Sequence, residues 1–479
     1  MSKFNKNTKT KVVNKEKHAA YAMDDKERLV SQVLTTFFGE PKFYGKTDHE
    51  IVTTARTLAK LEPEFVAKLA VFARREFNMR SVSHVLAAVL AREPKGKEFV
   101  RRLIPAIALR ADDVTEILSA YLHFYGKPIP NSLKKGINDA FVKFDEYALS
   151  KYKGEQNKLK MRDIPRICHP TPKDAEQSDM WKRLLAGELQ KTYTWEVELS
   201  AKGNNKWVWE ELIWSGKVGY MALLRNLRNI IAAKPDNINM VYETLTDPER
   251  VRKSRQFPFR FLSAYKELKG VKGTSSKAYD ALETALDISV ENIPRIAGKT
   301  AIVVDVSGSM TSPVSKRSKM TCAEIGLLLG VIAAHICEES VFLTFDTEVY
   351  PQAVSKRGGI LPQVRNIRVS GGGTYMQKPF IYLRDNRISV DRVIVLSDNQ
   401  CNCPYGGNTT LHKHSNAYRK HINPDCWVHG IDLQGYGTQQ FTGEKTNIIS
   451  GWSEKVLEFV TLAESGVATL VLRIESVDF

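Results

Sequence analysis

Near Pro294 the hydrophobic pattern of this 479-residue chain changes period, and a chain that does so cannot be one architecture throughout. From Asp25 to about Ile293, ERLVSQVLTTFF, HEIVTTARTLAKL, EFVAKLAVFARREF, SHVLAAVLA, EFVRRLIPAIALR and DVTEILSAYLHFY each place apolar residues at i, i+3, i+4 and i+7. Short breaks such as Glu62–Pro63 and Lys95–Gly96 separate them. The lengths fit paired antiparallel helices stacked as an α-solenoid, without a strict repeat period. After Pro294, KTAIVVDVS, MTCAEIGLLLGVIAAHI, SVFLTF, DRVIVLSD, CWVHGIDL and EKVLEFVTLAE alternate apolar strands with helices, which predicts a parallel sheet covered on both faces. The expectation is a multidomain chain: an all-α helical-repeat domain over residues 21–295, then an α/β doubly wound, Rossmann-like domain over residues 296–479. Residues 1–20 carry six lysines with little to bury and read as a basic disordered arm.

Charge divides at the same place. The formal net charge is +16, and residues 1–300 hold 53 Lys and Arg against 37 Asp and Glu, whereas residues 301–479 hold 17 of each. An excess confined to one part points to a polyanionic partner for that part, since each phosphate neutralised by Lys or Arg releases counterions. Nucleic acid is the leading class and an anionic membrane surface the second. No apolar stretch approaches the length a bilayer requires, and the polar, basic N-terminus has no signal-like apolar region, so a soluble, cytoplasmic protein is expected. The six cysteines form no disulfide framework.

In a parallel sheet the ligand site lies beyond the carboxyl ends of the strands. There AIVVD ends in Asp305-Val306-Ser307-Gly308-Ser309, a Gly-rich loop brings Thr374 after Gly371–Gly373, and VIVLS ends in Asp398. Few carboxylates, several hydroxyls and no obligatory His or Cys suit a hard cation that keeps waters, Mg²⁺ more than Zn²⁺. Asp305, Ser307, Ser309, Thr374 and Asp398 resemble the metal-ion-dependent adhesion site of von Willebrand A domains. Ser307 does not sit in a G-x-S-x-G elbow, and the Gly-rich segment lacks the phosphate-loop pattern, so neither a serine nucleophile nor an ATPase is implied. Cys401, Cys403, His412 and His414 could supply zinc by composition, but their spacing matches no standard finger.

Three basic stretches mark the helical part: Lys151 through Lys158, Lys160, Arg162, Arg166 and His169; LLRNLRNII, with Arg225 and Arg228 beside Asn226 and Asn229 on one expected polar face; and Arg250, Arg252, Lys253, Arg255 and Arg260. Trp207, Trp209 and Trp214 read as core.

GYMALLRNLRNI, FPFRFLSAY and RICHPTP, followed by a metal-site A domain, resemble the Ro autoantigen family with its TROVE domain, in the compact form of bacterial or phage members. The resemblance runs from about residue 20 to the end. It implies a HEAT-like helical ring with a basic central hole for single-stranded ends of misfolded RNA, an outer surface for small Y-like RNAs, and contacts at Lys151, Arg166 and His169. It also implies a non-enzymatic chain, expected as a monomer that presents RNA to an exoribonuclease, with a carboxylate-bearing protein partner at the Mg²⁺ site. The competing expectations are an adhesion scaffold whose A domain carries the main function, and a metal nuclease using Asp305 and Asp398, for which no general-base pattern exists.

Overall fold

The computed structural model describes residues 10–479 except 16, 36–46, 153–157, 191–192, 292, 315–319, 403–407 and 467–468. Contacts divide the chain into two compact units. One holds Thr47–Thr194 with Val471–Phe479; the other holds the segment up to Thr35 and Trp195–Leu470. The change of period at Pro294 therefore separates helices from strands, while contacts divide the helical region itself.

In the first unit the helices Thr47–Leu61, Pro63–Arg75, Arg80–Arg92, Lys97–Ile107, Ala111–Tyr125 and Asn131–Phe141 follow one another with short breaks. Their apolar stripes meet in a core that includes Leu69, Leu86, Ile104, Leu118 and Phe141, all fully buried. One set of charges is buried with them. Asp113 accepts from Arg80 Nε and from Arg74 Nη2 at 3.3 Å, and its carboxylate lies 3.1 Å from His84 Nε2. The end of the chain also belongs here: Lys68 Nζ donates to Glu475 O at 2.8 Å, and the Arg102 guanidinium stands over the Phe479 ring. That return was not legible in a boundary drawn at 296–479.

The second unit contains both sheets. Strands β1 (Lys11–Val13) and β2 (Ala19–Ala22) form an antiparallel hairpin, continued by the helix Asp25–Leu34. This corrects the expected disordered arm for residues 10–20; residues 1–9 lie outside the described ones. The lysine-rich composition hid an alternation in which Asn14 and Ala20 are buried. β3 (Ile296–Asp305), β4 (Cys337–Phe345), β5 (Val349–Gln352), β6 (Arg392–Ser397), β7 (Trp427–Asp432) and β9 (Thr446–Ser450) make the main sheet, and β8 (Thr438–Gln439) joins the hairpin.

The main sheet has the order β5-β4-β3-β6-β7-β9, parallel except for the β5 edge. Ala301 to Val304 and Val393 to Leu396 are buried on both faces, as the continuous apolar runs predict. From β3 the chain moves to β4 on one side and later to β6 on the other, so the strand order reverses beside β3. A crevice at the carboxyl ends follows from that reversal.

The helices Pro258–Glu267 and Ser276–Val290 belong to this unit because they pack on the sheet domain. Lys266 Nζ meets Glu324 Oε1 at 2.5 Å, Glu283 Oε2 accepts from Leu361 N at 3.1 Å, and the Arg365 guanidinium lies 4.9 Å from the centre of the Tyr265 ring. Of the three tryptophans on the helix Lys206–Trp214, only Trp209 is core. Trp207 and Trp214 are 53% and 78% exposed, a correction: seven residues apart, they share a face that turns away from Trp209.

Candidate metal centre and nucleic-acid faces

All five residues expected to hold a metal come from the carboxyl-end loops of this sheet, and all are buried. β3 delivers Asp305 and then turns: Ser307 N donates to Asp305 Oδ1 at 2.9 Å, and the Ser307 and Ser309 hydroxyls stand 3.5 Å apart. The Gly-rich loop is laced to this turn by Gly308 N to Gly372 O at 2.8 Å and Gly371 N to Val306 O at 2.9 Å. Position 308 tolerates no side chain easily, because a Cβ there would stand 3.2 Å from Gly371 O. Thr374 is held at the loop's end by Asn402, whose Oδ1 accepts from Thr374 N at 2.6 Å.

Asp398 follows β6. Its Oδ1 accepts from Gln400 N at 3.1 Å, while its buried Oδ2 has no hydrogen-bond partner. Burial, and then the charge of Asp305, push the Asp398 carboxyl well above the usual carboxylate range. Burial also raises Asp305, against hydrogen bonds from Ser307 and Ser397; Ser397 Oγ donates to Asp305 Oδ2 at 2.5 Å. Two desolvated carboxylates at one sheet edge, one with a buried oxygen that lacks a hydrogen-bond partner, make a donor set that favours a positive charge. The residues fit a hard divalent cation: Asp305 and Asp398 would supply charge, and Ser307, Ser309 and Thr374 neutral oxygens. No group of three His, Cys, Asp or Glu suited to a metal occurs among the described residues. Of the zinc candidates, Cys403 lies outside the described residues, and His412 is placed with its ring against Tyr21.

Sequence reading missed Asp346 and Asp432. Asp346 follows β4, and Asp432 ends β7, so four neighbouring parallel strands all deliver an Asp at the same edge. The repeated endings VVD, TFD, LSD and GID carried that signal. Asp346 braces the Gly-rich loop, its carbonyl accepting from Tyr375 N at 2.8 Å. Asp432 Oδ1 accepts from Gln434 N and Gly435 N, each at 3.0 Å.

The basic candidates fall into two groups. Lys151, Arg166 and His169 lie in the first unit. Lys151 ends the helix Glu146–Lys151, its ammonium 5.8 Å from the Tyr147 ring centre and 5.6 Å from that of Tyr152. Arg166 is 3.9 Å from Asp163, and exposed His169 closes the helix Asp163–Cys168 in the left-handed conformation, φ 54°. Arg225, Arg228, Arg252, Lys253 and Arg255 are exposed in the second unit. Arg228 pairs with Glu267 at 3.1 Å, Arg252 with Glu291 at 2.6 Å and Lys253 with Glu249 at 2.7 Å, all exchangeable surface pairs. Asn226 does not share the Arg225 face as expected: it is buried, and its Nδ2 donates to Ala222 O at 2.9 Å. The offset of one residue turns it a full 100° toward the core.

The TROVE domain family matches residues 10–186 and 176–279, and the Ro60 vWA domain family matches residues 299–428. Telomerase protein component 1 of Rattus norvegicus is 23% identical across 90% of the chain. RNA-binding protein RO60 of Caenorhabditis elegans is 29% identical across 41% of it, and that of Deinococcus radiodurans 27% across 38%. These alignments span only 22%, 32% and 37% of the respective relatives. The crystal structure of Deinococcus radiodurans RO (RSR) protein superposes with a TM-score of 0.63 at 18% identity, over 93% of this chain and 100% of that one, which establishes the shared fold. With both family domains matched in order across most of its length, the chain belongs to the Ro family, a TROVE domain followed by a Ro60-type von Willebrand A domain.

Proposed function

We propose that the chain is the RNA-binding component of a ribonucleoprotein. The observation that carries this reading is the charge division: the whole excess of +16 lies in residues 1–300, the part that matches the TROVE domain. Small structured, Y-like RNA is taken on an outer basic surface that includes Lys151, Arg166 and His169. Single-stranded ends of misfolded RNA enter a central hole, and the particle presents them to an exoribonuclease in the cytoplasm. Arg225, Arg228, Arg252, Lys253 and Arg255 add phosphate contacts, Arg228, Arg252 and Lys253 by exchanging their surface carboxylate partners for phosphate. The relatives named RNA-binding protein RO60 support this class of ligand.

The metal centre serves a separate purpose in this reading. A bound Mg²⁺ would supply an open coordination position for a carboxylate of a protein partner. Asp305 and Asp398 hold the charge, and the three hydroxyls and the Gly-rich loop shape the opening. The chain acts by binding rather than catalysis. The test is direct: protein purified from its host should carry a 260 nm excess that RNase removes, and RNA incubated with protein and Mg²⁺ should remain intact. RNA-free protein that also fails to bind added RNA would leave the adhesion reading in its place, and degraded RNA would restore the nuclease.

A further inference from the structure

We infer that the N-terminal hairpin is the clamp that holds the loop after β6 in the form that presents Asp398, with Asn14 and Gln400 as the positioning residues. The inference rests on the metal reading above. Asn399 takes the left-handed conformation, φ 58°, which Asn adopts more readily than other non-glycine residues. Within the loop, Asn399 N donates to Ser397 Oγ and Gln400 N to Asp398 Oδ1, both at 3.1 Å.

Bonds to the loop also come from nearly four hundred residues away. Lys15 N donates to Gln400 Oε1 at 2.7 Å, and Asn14 Nδ2 donates to Cys401 O at 2.8 Å. Gln400 is the hub: its Nε2 also donates to Asp398 O at 3.3 Å and to Thr438 Oγ1 at 3.1 Å, on the strand that pairs with β2. Asn14 is itself fixed in the hairpin turn, where its Oδ1 accepts from His18 N at 2.9 Å and its own N donates to His18 O at 2.8 Å. The helix after the hairpin secures the neighbouring strand end, as Ser31 Oγ donates to Asp432 Oδ2 at 2.5 Å. The hairpin thus grips the two residues after Asn399.

The experiment uses the full chain and Mn²⁺ alone as probe. Asn14→Asp keeps the acceptor for His18 N and so preserves the turn, but it cannot donate to Cys401 O; Gln400→Ala removes the hub. Hydrogen exchange of amides 399–402 is measured without metal, and Mn²⁺ affinity by calorimetry. Exchange in this loop should rise about fivefold or more in either variant, and Mn²⁺ should bind about fivefold more weakly, with little change in melting temperature. Unchanged exchange in both variants overturns the clamp. Faster exchange with unaltered Mn²⁺ affinity overturns its role in presenting Asp398. Wild-type protein that takes no Mn²⁺ defeats the metal reading, and with it that presenting role, while faster exchange in the variants would still uphold the clamp on the loop.

Discussion

Single carboxylates do three different things in this chain, and burial alone does not decide which. Asp113 is fully buried; burial by itself would raise it, yet His84 and Arg80 hold it far below the usual carboxylate range. Its contribution to stability is therefore present above the ordinary Asp range and lost as pH falls below about 4. Asp113→Asn leaves buried Arg74 without its counter-charge, although Arg80 keeps Asp112 and Glu116, and should cost about 3–5 kcal/mol in urea unfolding; a loss under about 1 kcal/mol would remove the network from the core's support. Glu27 behaves in the opposite way. Burial, then Asp24, push it up to about 8, while it still accepts from Asp24 N at 3.4 Å in the capping box. A raised folded value makes stability highest below the ordinary Glu range and lost as pH rises through about 8. Glu27→Gln keeps the cap, so the fall in melting temperature between pH 6.5 and 9 should shrink; an equal fall in both proteins would contradict the assignment. The third behaviour is that of Asp305 and Asp398, both raised by burial first, with a neighbouring carboxylate adding to it: Asp346 beside Asp305, and Asp305 beside Asp398.

At the level of elements, what the sequence made legible was what its periodicity encodes. Strand ends at Asp305 and Asp398 and the Gly-rich turn before Thr374 could be placed at one edge because parallel strands deliver their carboxyl ends together. The hairpin at residues 11–22 could not, because its strands are three and four residues long and its partners lie at Gln400, Cys401 and Gln439. Short strands owe their form to such distant pairing more than to propensity. Asn226 was missed for another reason: its polar side chain suggested the Arg225 face, whereas Leu223, Leu227 and Ile230 around it set its position toward the core. Lys151 and His169 are a test at this scale. Lys151→Ala with His169→Ala should weaken a structured Y-like RNA more than a single-stranded tail, and the Lys151 change alone should lower the salt slope by about one. Equal losses for both RNAs would place them in one site.

For the whole molecule the central claim is a division of labour: the basic helical part binds RNA, and the metal centre serves another partner. The hairpin changes how that division must be tested, since a fragment starting at residue 296 lacks the strands and helix that grip the sheet domain. Point variants in the full chain avoid the difficulty. The decisive measurement is the affinity for a small structured RNA as a function of salt, in wild type, in Asp305→Ala, and in a variant with Arg225, Arg228, Arg252, Lys253 and Arg255 replaced by Ala. Wild type and Asp305→Ala should show the same affinity and the same steep slope, and the five-fold variant a slope lower by about four. Salt-independent binding, or a loss of RNA affinity in folded Asp305→Ala with the basic variant unchanged, would contradict the account.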